Sequence, residues 1–311
     1  MRCLVTGASG FLGSWLVRQL LHEGHSVIAV VRAKPYARRA GDWLKQVRIV
    51  HGALEDPESL GEQLAADTID VFFHLAWLGV NAECRNHSTQ ISTNVVASIR
   101  LWEMARDLGC KHWIGLGSQA EYGPRLGVLQ EDLPLRPATA YGVAKLASAM
   151  LTAKMAEITH MRHTWVRLAA IYGPGDDPTH LIPSTILTLL AGRKPALTMG
   201  EQRWDYLYVE DAAKALASIA AAGATGSLNL ASGKTVVIRK LVERIKALVD
   251  PNLPLGFGDH SYREDQVMHL EPDIGRLRAA TRWAPEVPLD EGLRRTVAWY
   301  RKERPHAAID L

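Results

Sequence analysis

The sequence predicts an α/β protein built on a doubly wound parallel sheet of about seven strands. Three observations lead to this prediction. Short apolar runs rich in valine and isoleucine recur through the first half of the chain, as at residues 27–31. Segments with the apolar spacing of helices lie between these runs. A turn with three glycines follows the first run directly. Strands that alternate with helices pair in parallel through right-handed crossovers.

Each element of the first half follows from its own pattern. A strand that is buried on both faces is a continuous apolar run, because both of its sides meet other side chains. The predicted strands are residues 2–6, 27–31, 47–50, 71–75, 112–116 and 164–169. The predicted helices are residues 11–22, 58–66, 89–108 and 140–160.

The pattern changes after Tyr172. Gly173, Pro174 and Gly175 interrupt it, and shorter elements follow. Residues 206–221 have the pattern of a strand end plus a helix that returns to the first sheet. We therefore predict a first domain over residues 1–168, with a returning segment at about 204–230, and a smaller mixed α/β domain in residues 169–311.

Composition excludes several classes of protein. The 311 residues carry a net charge of +3, which is too small to indicate a nucleic-acid partner. No apolar run approaches the ~20 residues of a membrane helix. The three cysteines, Cys3, Cys84 and Cys110, lack disulfide or metal-site spacing. Because Met1 leads straight into a strand, we expect no signal peptide. The expectation is a cytoplasmic protein without a metal or a membrane span.

The glycine turn between the first strand and the first helix predicts a dinucleotide site. Gly7 permits the tight turn, Gly10 lets the backbone approach a pyrophosphate, and Gly13 lets the helix pack close to the strand. The helix N-terminus adds amide donors and a positive dipole. The alternative is an ordinary strand-to-helix turn. The spacing is G-x-x-G-x-x-G rather than the G-x-G-x-x-G of ordinary dehydrogenases.

Tyr141 and Lys145 form a candidate catalytic pair. They lie four residues apart at the start of a predicted helix, so they share one face. An ammonium near a phenol favours the phenolate, and we expect Lys145 to lower the pKa of Tyr141. A tyrosine with a lowered pKa can exchange protons near neutral pH. The alternative is a packed surface tyrosine beside a solvated lysine.

Together these motifs carry a resemblance that covers nearly the whole chain. The chain resembles the extended short-chain dehydrogenases/reductases, the superfamily of NAD(P)-dependent nucleotide-sugar epimerases, dehydratases and reductases. Within it, the chain is most similar to the nucleotide-sugar 4-ketoreductases. The matching pieces are Thr6 to Gly13, His74-Leu75-Ala76, Asn94, Gly117-Ser118, Tyr141 to Lys145, Arg167, Tyr172 to Gly175, Trp204 to Asp211, Trp283-Ala284-Pro285 and Glu291-Gly292-Leu293.

The resemblance implies a role for each matching residue. Tyr141 would be the acid/base, and Lys145 would also hold the nicotinamide ribose. Ser118 would hydrogen-bond the reacting oxygen, and Asn94 would brace the site, unless it is a plain polar helix residue. The implied coenzyme-binding residues are Gly7, Ser9, Gly10, Phe11, Leu12, Gly13, Arg32, Leu54, Leu75 and Ala76, together with Tyr141 and Lys145.

Residues 118–121 discriminate between the reactions of this superfamily. In its dehydratases an acidic pair follows the serine or threonine, whereas here Gln119 and Ala120 do. Neither can exchange protons at neutral pH. Glu121 is acidic, but it is shifted by one residue, and in a strand-like segment it would point to the opposite side. Dehydration is therefore disfavoured.

The leading hypothesis is an oxidoreductase that reduces a keto group of a nucleotide-linked sugar or deoxysugar, using NADP(H). An epimerase that keeps its nicotinamide bound is the alternative enzyme. A nucleotide-sensing binding protein without catalysis is the alternative from another class. NADP is preferred because the acidic residue that ends the second strand in NAD-dependent relatives is replaced by Val31, and Arg32 follows it. Lys34, Arg38 and Arg39 are close in sequence, although a solvated basic loop would contain them too.

Fewer sequence motifs identify the residues that bind the substrate than identify those that bind the coenzyme. Trp77 should line the cleft beside the nicotinamide, and Gln119 should face the substrate. Arg203, Arg263 and Arg276 lie near family positions that bind a nucleotide diphosphate, and arginine suits phosphate because its fork is bidentate. The alternative for each arginine, an ordinary surface position without a ligand, is at least equally plausible.

The same resemblance predicts a symmetric homodimer. In the family, the helices that correspond to residues 89–108 and 140–160 pair in a four-helix interface. The second helix has apolar residues on more than one face, as a helix buried on two sides would have. These residues are Ala144, Ala147, Met150, Leu151, Met155 and Ile158. Burial within the monomer is the alternative.

Overall fold

The computed structural model describes residues 1–32, 39, 41–263 and 265–303. Seven parallel strands form the main sheet in the order β3-β2-β1-β4-β5-β6-β10, which confirms the predicted fold class. The strands are β1 (Arg2–Thr6), β2 (Ser26–Val31), β3 (Arg48–His51), β4 (Val71–His74), β5 (His112–Ser118), β6 (Arg162–Leu168) and β10 (Gly226–Leu230). The strand order reverses between β1 and β4, and ligands of such sheets bind at the carboxyl ends of the strands beside that point.

Helices cover both faces of this sheet. They are α1 (Phe11–His22), α2 (Pro57–Leu64), α3 (Val96–Asp107), α4 (Ala140–Thr159) and α6 (Val209–Ala222). On one face α1 packs against α6, with Leu16 and Leu216 fully buried in the same cluster. On the other face α2, α3 and α4 contribute to a second cluster that contains Leu60, Trp102 and Ala156. The sheet is therefore buried on both sides, which explains the continuous apolar runs of its strands.

One predicted helix has a different start. The segment predicted as a single helix over residues 89–108 begins as a π-helix, Gln90–Val95, and continues as α3. The side chains of Gln90 and Asn94 are buried in this wider turn. A π-turn adds one residue per turn, and such turns are frequent at functional sites.

The second half of the chain contains the smaller sheets. Strand β9 (Arg203–Tyr208) pairs with β7 (Ala170–Tyr172), β11 (Thr235–Val237) and β13 (His269–Leu270). Strands β8 (Ala196–Leu197) and β12 (Gly256–Phe257) form a separate pair. The helices here are α5 (Leu181–Leu190), α7 (Ile238–Val249), α8 (Gly275–Thr281) and α9 (Leu289–Glu303). From β9 the chain runs into α6 and then into β10 of the main sheet. The domain division at residue 168 stays a prediction.

The loop after β7 is bonded to the glycine-turn side of the molecule. The indole Nε1 of Trp15 donates to the carbonyl oxygen of Pro174 at 3.2 Å. Arg39 Nε donates to the carbonyl oxygen of Gly175 at 2.7 Å. Gly175 has a φ of +85°, which a glycine adopts without strain. Two hydrogen bonds therefore join the two halves of the molecule at this loop.

Among the described residues, no helix is long and apolar enough to cross a membrane. The three cysteines are free thiols, and Cys3 and Cys110 are buried. No group of three or more histidine, cysteine or acidic side chains in the described part of the chain is arranged to hold a metal ion.

Candidate active site

The glycine turn leaves no room for a side chain at Gly7 or Gly13, and a Cβ on Gly10 would lie 3.0 Å from the carbonyl oxygen of Gly7. Gly7 has a φ of +71°, and a Cβ there would lie 2.9 Å from the amide nitrogen of Ala76. A Cβ on Gly13 would lie 2.0 Å from the carbonyl oxygen of Gly7, which also accepts a hydrogen bond from the amide of Gly10 at 2.9 Å. The turn, the start of α1 and the end of β4 are therefore in direct contact.

The start of α1 fits an anionic group. Gly10 is the N-cap residue and provides no side-chain hydrogen bond to the first turn, which also contains no acidic residue. The amide groups of that turn and the helix dipole therefore favour a phosphate there. Ser9 and Phe11 are half-buried beside the turn, while Leu12 is buried. These features suit the pyrophosphate of a dinucleotide coenzyme.

The remaining predicted coenzyme residues lie at the ends of neighbouring strands. Leu54 is buried after β3, and Leu75 and Ala76 are half-buried directly after β4. At the end of β2, Val31 is 1% exposed and Arg32 is exposed, so no carboxylate ends this strand. Lys34 and Arg38 lie outside the described residues. Arg39 is described and bonds to Gly175, as above.

A chain of buried polar groups connects the glycine turn to Asn94. The hydroxyl of Thr6 is 3.0 Å from His74 Nδ1, and His74 Nε2 is 3.1 Å from the hydroxyl of Ser98. Ser98 in turn donates to the carbonyl oxygen of Asn94 at 2.8 Å. Burial lowers the pKa of His74 to about 3, with the nearby Lys145 charge adding to the shift. His74 is therefore neutral and serves as a hydrogen-bonding link.

Asn94 and Gln90 hold the loop that follows β4. Asn94 accepts from the amide of Leu78 at 2.9 Å and donates to its carbonyl oxygen at 2.9 Å. Gln90 accepts from the indole Nε1 of Trp77 at 2.8 Å and donates to the carbonyl oxygen of Gly79 at 2.7 Å. Both side chains are at most 1% exposed. The π-turn thus presents two amides to one loop and sets the position of Trp77.

Tyr141 and Lys145 lie at the start of α4, where Thr139 caps the helix by accepting from the amide of Gly142 at 3.1 Å. Lys145 Nζ donates to the carbonyl oxygen of Leu116 at 2.6 Å. It lies 3.6 Å from the centre of the Trp77 ring and 5.9 Å from the centre of the Tyr141 ring. The amine is therefore held between the end of β5 and the loop after β4.

The expectation that Lys145 lowers the pKa of Tyr141 is wrong for this structure. Burial raises the pKa of Tyr141, and a hydrogen bond from Ser118 and the positive charge of Arg85 only partly oppose this shift. Burial also lowers the pKa of Lys145, from its ordinary value of 10.5 to about 7. Desolvation outweighs charge here because both groups are enclosed and the amine packs on Trp77.

Ser118 caps a 3-10 turn, Gln119–Glu121, so the segment that contains Glu121 is a tight turn and not a strand. The amide of Ser118 donates to Glu121 Oε1 at 2.8 Å, and the Ser118 hydroxyl accepts from the amide of Ala120 at 3.2 Å. Gln119 is half-buried. The turn directs Glu121 into the protein and leaves the Ser118 side chain near enough to Tyr141 to oppose the rise in the pKa of its phenol.

Glu121 is a buried structural carboxylate. It is 0% exposed, and its second oxygen accepts from Arg167 Nε at 2.9 Å. The indole of Trp165 donates to its first oxygen at 2.9 Å. A Cβ on Gly117 would lie 2.2 Å from that indole nitrogen, so this approach requires glycine. With its oxygens bonded in this way, Glu121 has no position from which to exchange a proton with a ligand.

The three predicted phosphate-binding arginines have protein partners. Arg203 Nε donates to the hydroxyl of Thr235 at 2.8 Å. Arg263 lies 3.4 Å from a carboxylate oxygen of Asp265, and Arg276 lies 3.0 Å from one of Asp132. All three arginines are exposed. Their role in binding phosphate stays a prediction, and each would have to exchange its present partner for a ligand.

Sequence reasoning missed two residues of the site. Gln90 lies four residues before Asn94, so a search of that helix face would have found it. Arg85 lies with its guanidinium carbon 6.0 Å from the centre of the Tyr141 ring, and its loop carries no motif that predicts this.

The comparison with protein families agrees with this geometry. Residues 3–231 match the model of the NAD dependent epimerase/dehydratase family. The chain belongs to this family. A family member, the UDP-glucose 4-epimerase of Mycolicibacterium smegmatis, is 29% identical over 97% of this chain and 99% of its own length. A second, the dTDP-glucose 4,6-dehydratase of Streptomyces griseus, is 31% identical over 97% of this chain and 94% of its own.

A solved structure of the same kind supports the fold. MoeE5 in complex with UDP-glucuronic acid and NAD is 29% identical, with a TM-score of 0.86. The match covers 97% of this chain and all of that one, 100%. The smaller sheets and helices of the second half are therefore part of the shared architecture of the family.

The buried amine of Lys145 predicts a pH dependence of stability. Its pKa of about 7 lies below the value of 10.5 in an unfolded chain, so the unfolded state binds more protons between these values. The free energy of unfolding of the parent, relative to Lys145→Met, should therefore rise as pH increases from 7.5 to 9.5. The slope should approach but not exceed about 1.4 kcal/mol per pH unit. Urea unfolding at several pH values measures this.

Lys154→Met, on an exposed position of α4, controls for the loss of a lysine from this helix. A difference between parent and Lys145→Met that stays flat or falls over this pH range would show that the amine is not desolvated as described.

Proposed function

We propose that this protein is a nicotinamide-dependent oxidoreductase that acts on a sugar linked to a nucleotide. The observation that carries the proposal is the meeting of Ser118, Tyr141 and Lys145 at the carboxyl ends of β4 and β5, beside the glycine turn. This is the edge of the sheet where doubly wound folds bind dinucleotides. A catalytically silent binding protein would have no need of this group.

Each side chain of the site has a separate role in this reaction. A nicotinamide coenzyme, when bound, supplies or accepts the hydride. Tyr141 is placed to give its hydroxyl proton to a sugar carbonyl oxygen, or to take a proton back in the reverse direction. Ser118 lies beside Tyr141 and would hydrogen-bond the same oxygen. Lys145 is buried one helical turn along α4, where its amine can hold a ribose hydroxyl of the coenzyme.

Within this chemistry, reduction of a keto group of a sugar or deoxysugar is our first proposal. Elimination of water would need an acidic pair after Ser118, and Gln119 and Ala120 occupy these positions. Glu121, the acidic residue that follows them, is buried against Arg167. Reduction needs only the tyrosine, the lysine and the serine.

Epimerisation is the second candidate, and the comparisons favour it. A relative covered over nearly its whole length is named a UDP-glucose 4-epimerase. Epimerisation uses the same three residues, with oxidation and reduction at one carbon. The two candidates differ in coenzyme use, because a reductase consumes added NADPH whereas an epimerase works with a bound coenzyme. Absorbance at the reduced-nicotinamide band during turnover therefore separates them.

Tyr141→Phe tests the proposed acid/base. The substitution keeps the ring and its packing but removes the proton, so turnover should fall by roughly 10²–10⁴-fold while coenzyme binding stays nearly unchanged. Lys145→Ala should reduce both turnover and coenzyme affinity. Steady-state kinetics and coenzyme titration measure these effects.

Tyr172→Phe is the matched control, because in the described part of the chain its hydroxyl donates to the backbone carbonyl oxygen of Leu289, at 3.2 Å, and to no side chain. A Tyr141→Phe variant that turns over at the parent rate would remove Tyr141 from the chemistry.

We further propose that the coenzyme is NADP(H). Support comes from the end of β2, where Arg32 is exposed and no carboxylate is present to bond a ribose hydroxyl. MoeE5 was solved with NAD, so the preference needs a direct measurement. Arg32→Asp would place a carboxylate against a 2′-phosphate, and NADP binding should weaken by about 2 kcal/mol or more. Tighter binding of NAD than of NADP to the parent protein, by calorimetry, would contradict the proposal.

A symmetric homodimer is the proposed assembly. One side of α4 exposes large apolar side chains, with Met150 at 65% and Ile158 at 70% exposed, while Thr152 on the opposite side is buried. Ile91 and Val96, before and at the start of α3, are exposed as well. Exposed apolar patches of this kind mark interaction surfaces. Sedimentation at micromolar concentration should give a dimer, and Met150→Glu together with Ile158→Glu should give a monomer. A parent protein that sediments as a monomer would contradict this.

A further inference from the structure

The loop before the π-helix is hydrogen-bonded to the start of α4, the helix that carries Tyr141 and Lys145. The amide of Tyr141 donates to the carbonyl oxygen of Arg85 at 2.8 Å, and the amide of Ala140 donates to the side-chain oxygen of Asn86 at 3.0 Å. The first amides of a helix have no partner within the helix. This loop satisfies two of them, so the backbone of Arg85 has a set position relative to Tyr141.

The side chain of Arg85 has no anionic partner. It is half-buried, its guanidinium carbon is 6.0 Å from the centre of the Tyr141 ring, and its Nε is buried without a hydrogen bond. None of the carboxylates in the described part of the chain forms an ion pair with it. A buried charged donor is costly unless it is paired, so an unpaired guanidinium at a ligand site indicates that the ligand brings the anion.

A second group with positive character lies nearby. The hydrogen bond with Asp176 raises the pKa of His180, and the positive charge of Arg85 opposes part of this shift, so the two side chains are within electrostatic range. His180 Nδ1 is 2.9 Å from Asp176, whose carboxyl is itself buried. His180 is also the N-cap residue of α5 and makes no side-chain cap hydrogen bond, so the positive end of that helix dipole lies at the same place. Asp176 is bonded to His180 and leaves Arg85 unpaired.

We propose that the sugar of the substrate carries a carboxylate, as in a uronic acid, and that Arg85 binds this carboxylate beside Tyr141. This inference rests on the proposed oxidoreductase of nucleotide-linked sugars, because it assumes that the cleft at Tyr141 holds the sugar, and it selects a uronic acid over a deoxysugar, which has no carboxylate for Arg85 to bind. The planar fork of a guanidinium matches a carboxylate in bidentate geometry, whereas a hydroxymethyl group offers it a single neutral acceptor. Arg85 therefore selects between sugars that differ only in this group.

Two other roles for Arg85 predict different results. If Arg85 only tunes Tyr141, its loss changes turnover of acidic and neutral sugars equally and leaves binding unchanged. If Arg85 binds the diphosphate, its loss weakens binding of acidic and neutral nucleotide sugars equally. Only recognition of the sugar carboxylate makes the effect depend on the sugar.

The experiment compares calorimetric binding of UDP-glucuronate and UDP-glucose to the coenzyme-loaded protein and to its variants. If UDP-glucose does not bind and dTDP-glucose does, the dTDP-linked pair of sugars is used. We expect the glucuronate to bind more tightly to the parent. Arg85→Gln should weaken glucuronate binding by about 10- to 100-fold and glucose binding by less than about threefold. Arg85→Lys keeps the charge and should recover part of the loss.

Arg193→Gln, which removes an exposed arginine after α5, is the control and should leave both affinities unchanged. The melting temperature of Arg85→Gln should match that of the parent, because the backbone of Arg85, and not its side chain, bonds α4. Equal affinity of the parent for the two sugars, or an equal loss for both in Arg85→Gln, would overturn the inference and leave the proposed function standing. If no nucleotide sugar binds, the proposed function fails and the inference fails with it.

Discussion

The buried carboxylate of Glu121 organises the end of β5, and the rest of the site depends on it. Its two oxygens are bonded to a backbone amide, an indole and a guanidinium, so the strand must turn at Ser118. That turn places the Ser118 hydroxyl against Tyr141 and leaves the carbonyl oxygen of Leu116 free to hold Lys145. A buried ion pair contributes little to stability by itself, but removal of one partner is strongly destabilising. The position of Ser118 is therefore fixed by buried residues behind the turn, Glu121 with Trp165 and Arg167, and not by residues that contact a ligand.

The fold was predictable from the sequence because its signals are local. The main strands are apolar runs that need no distant partner to be recognised, and Gly7, Gly10 and Gly13 have roles that follow from steric limits alone. The turn at Ser118 was not predictable in this way. It depends on Trp165 and Arg167, which lie opposite Gly115 and Gly117 in the register of β5 and β6. Nothing near Ser118 in sequence indicates that register.

The protonation states of the site residues were harder to predict from the sequence than their positions in the fold. The spacing of Tyr141 and Lys145 correctly places both at the start of one helix, but the sequence could not show how fully they are enclosed. Trp77, from a loop held by Gln90 and Asn94, covers the amine of Lys145. Desolvation then raises the pKa of the phenol and lowers that of the amine. A ligand that brings hydroxyls or negative charge to Lys145 would shift this balance back towards the ammonium.

The hydrogen bonds from Trp15 and Arg39 to the loop at Pro174 and Gly175 bear on how ligands exchange. A hinge motion that separates the two halves at this point must break both bonds. At about 0.5–1.5 kcal/mol each, the two bonds add roughly 1–3 kcal/mol to the free energy of any such separation. A ligand that needs this loop to move away from the glycine turn must supply that free energy from its own binding.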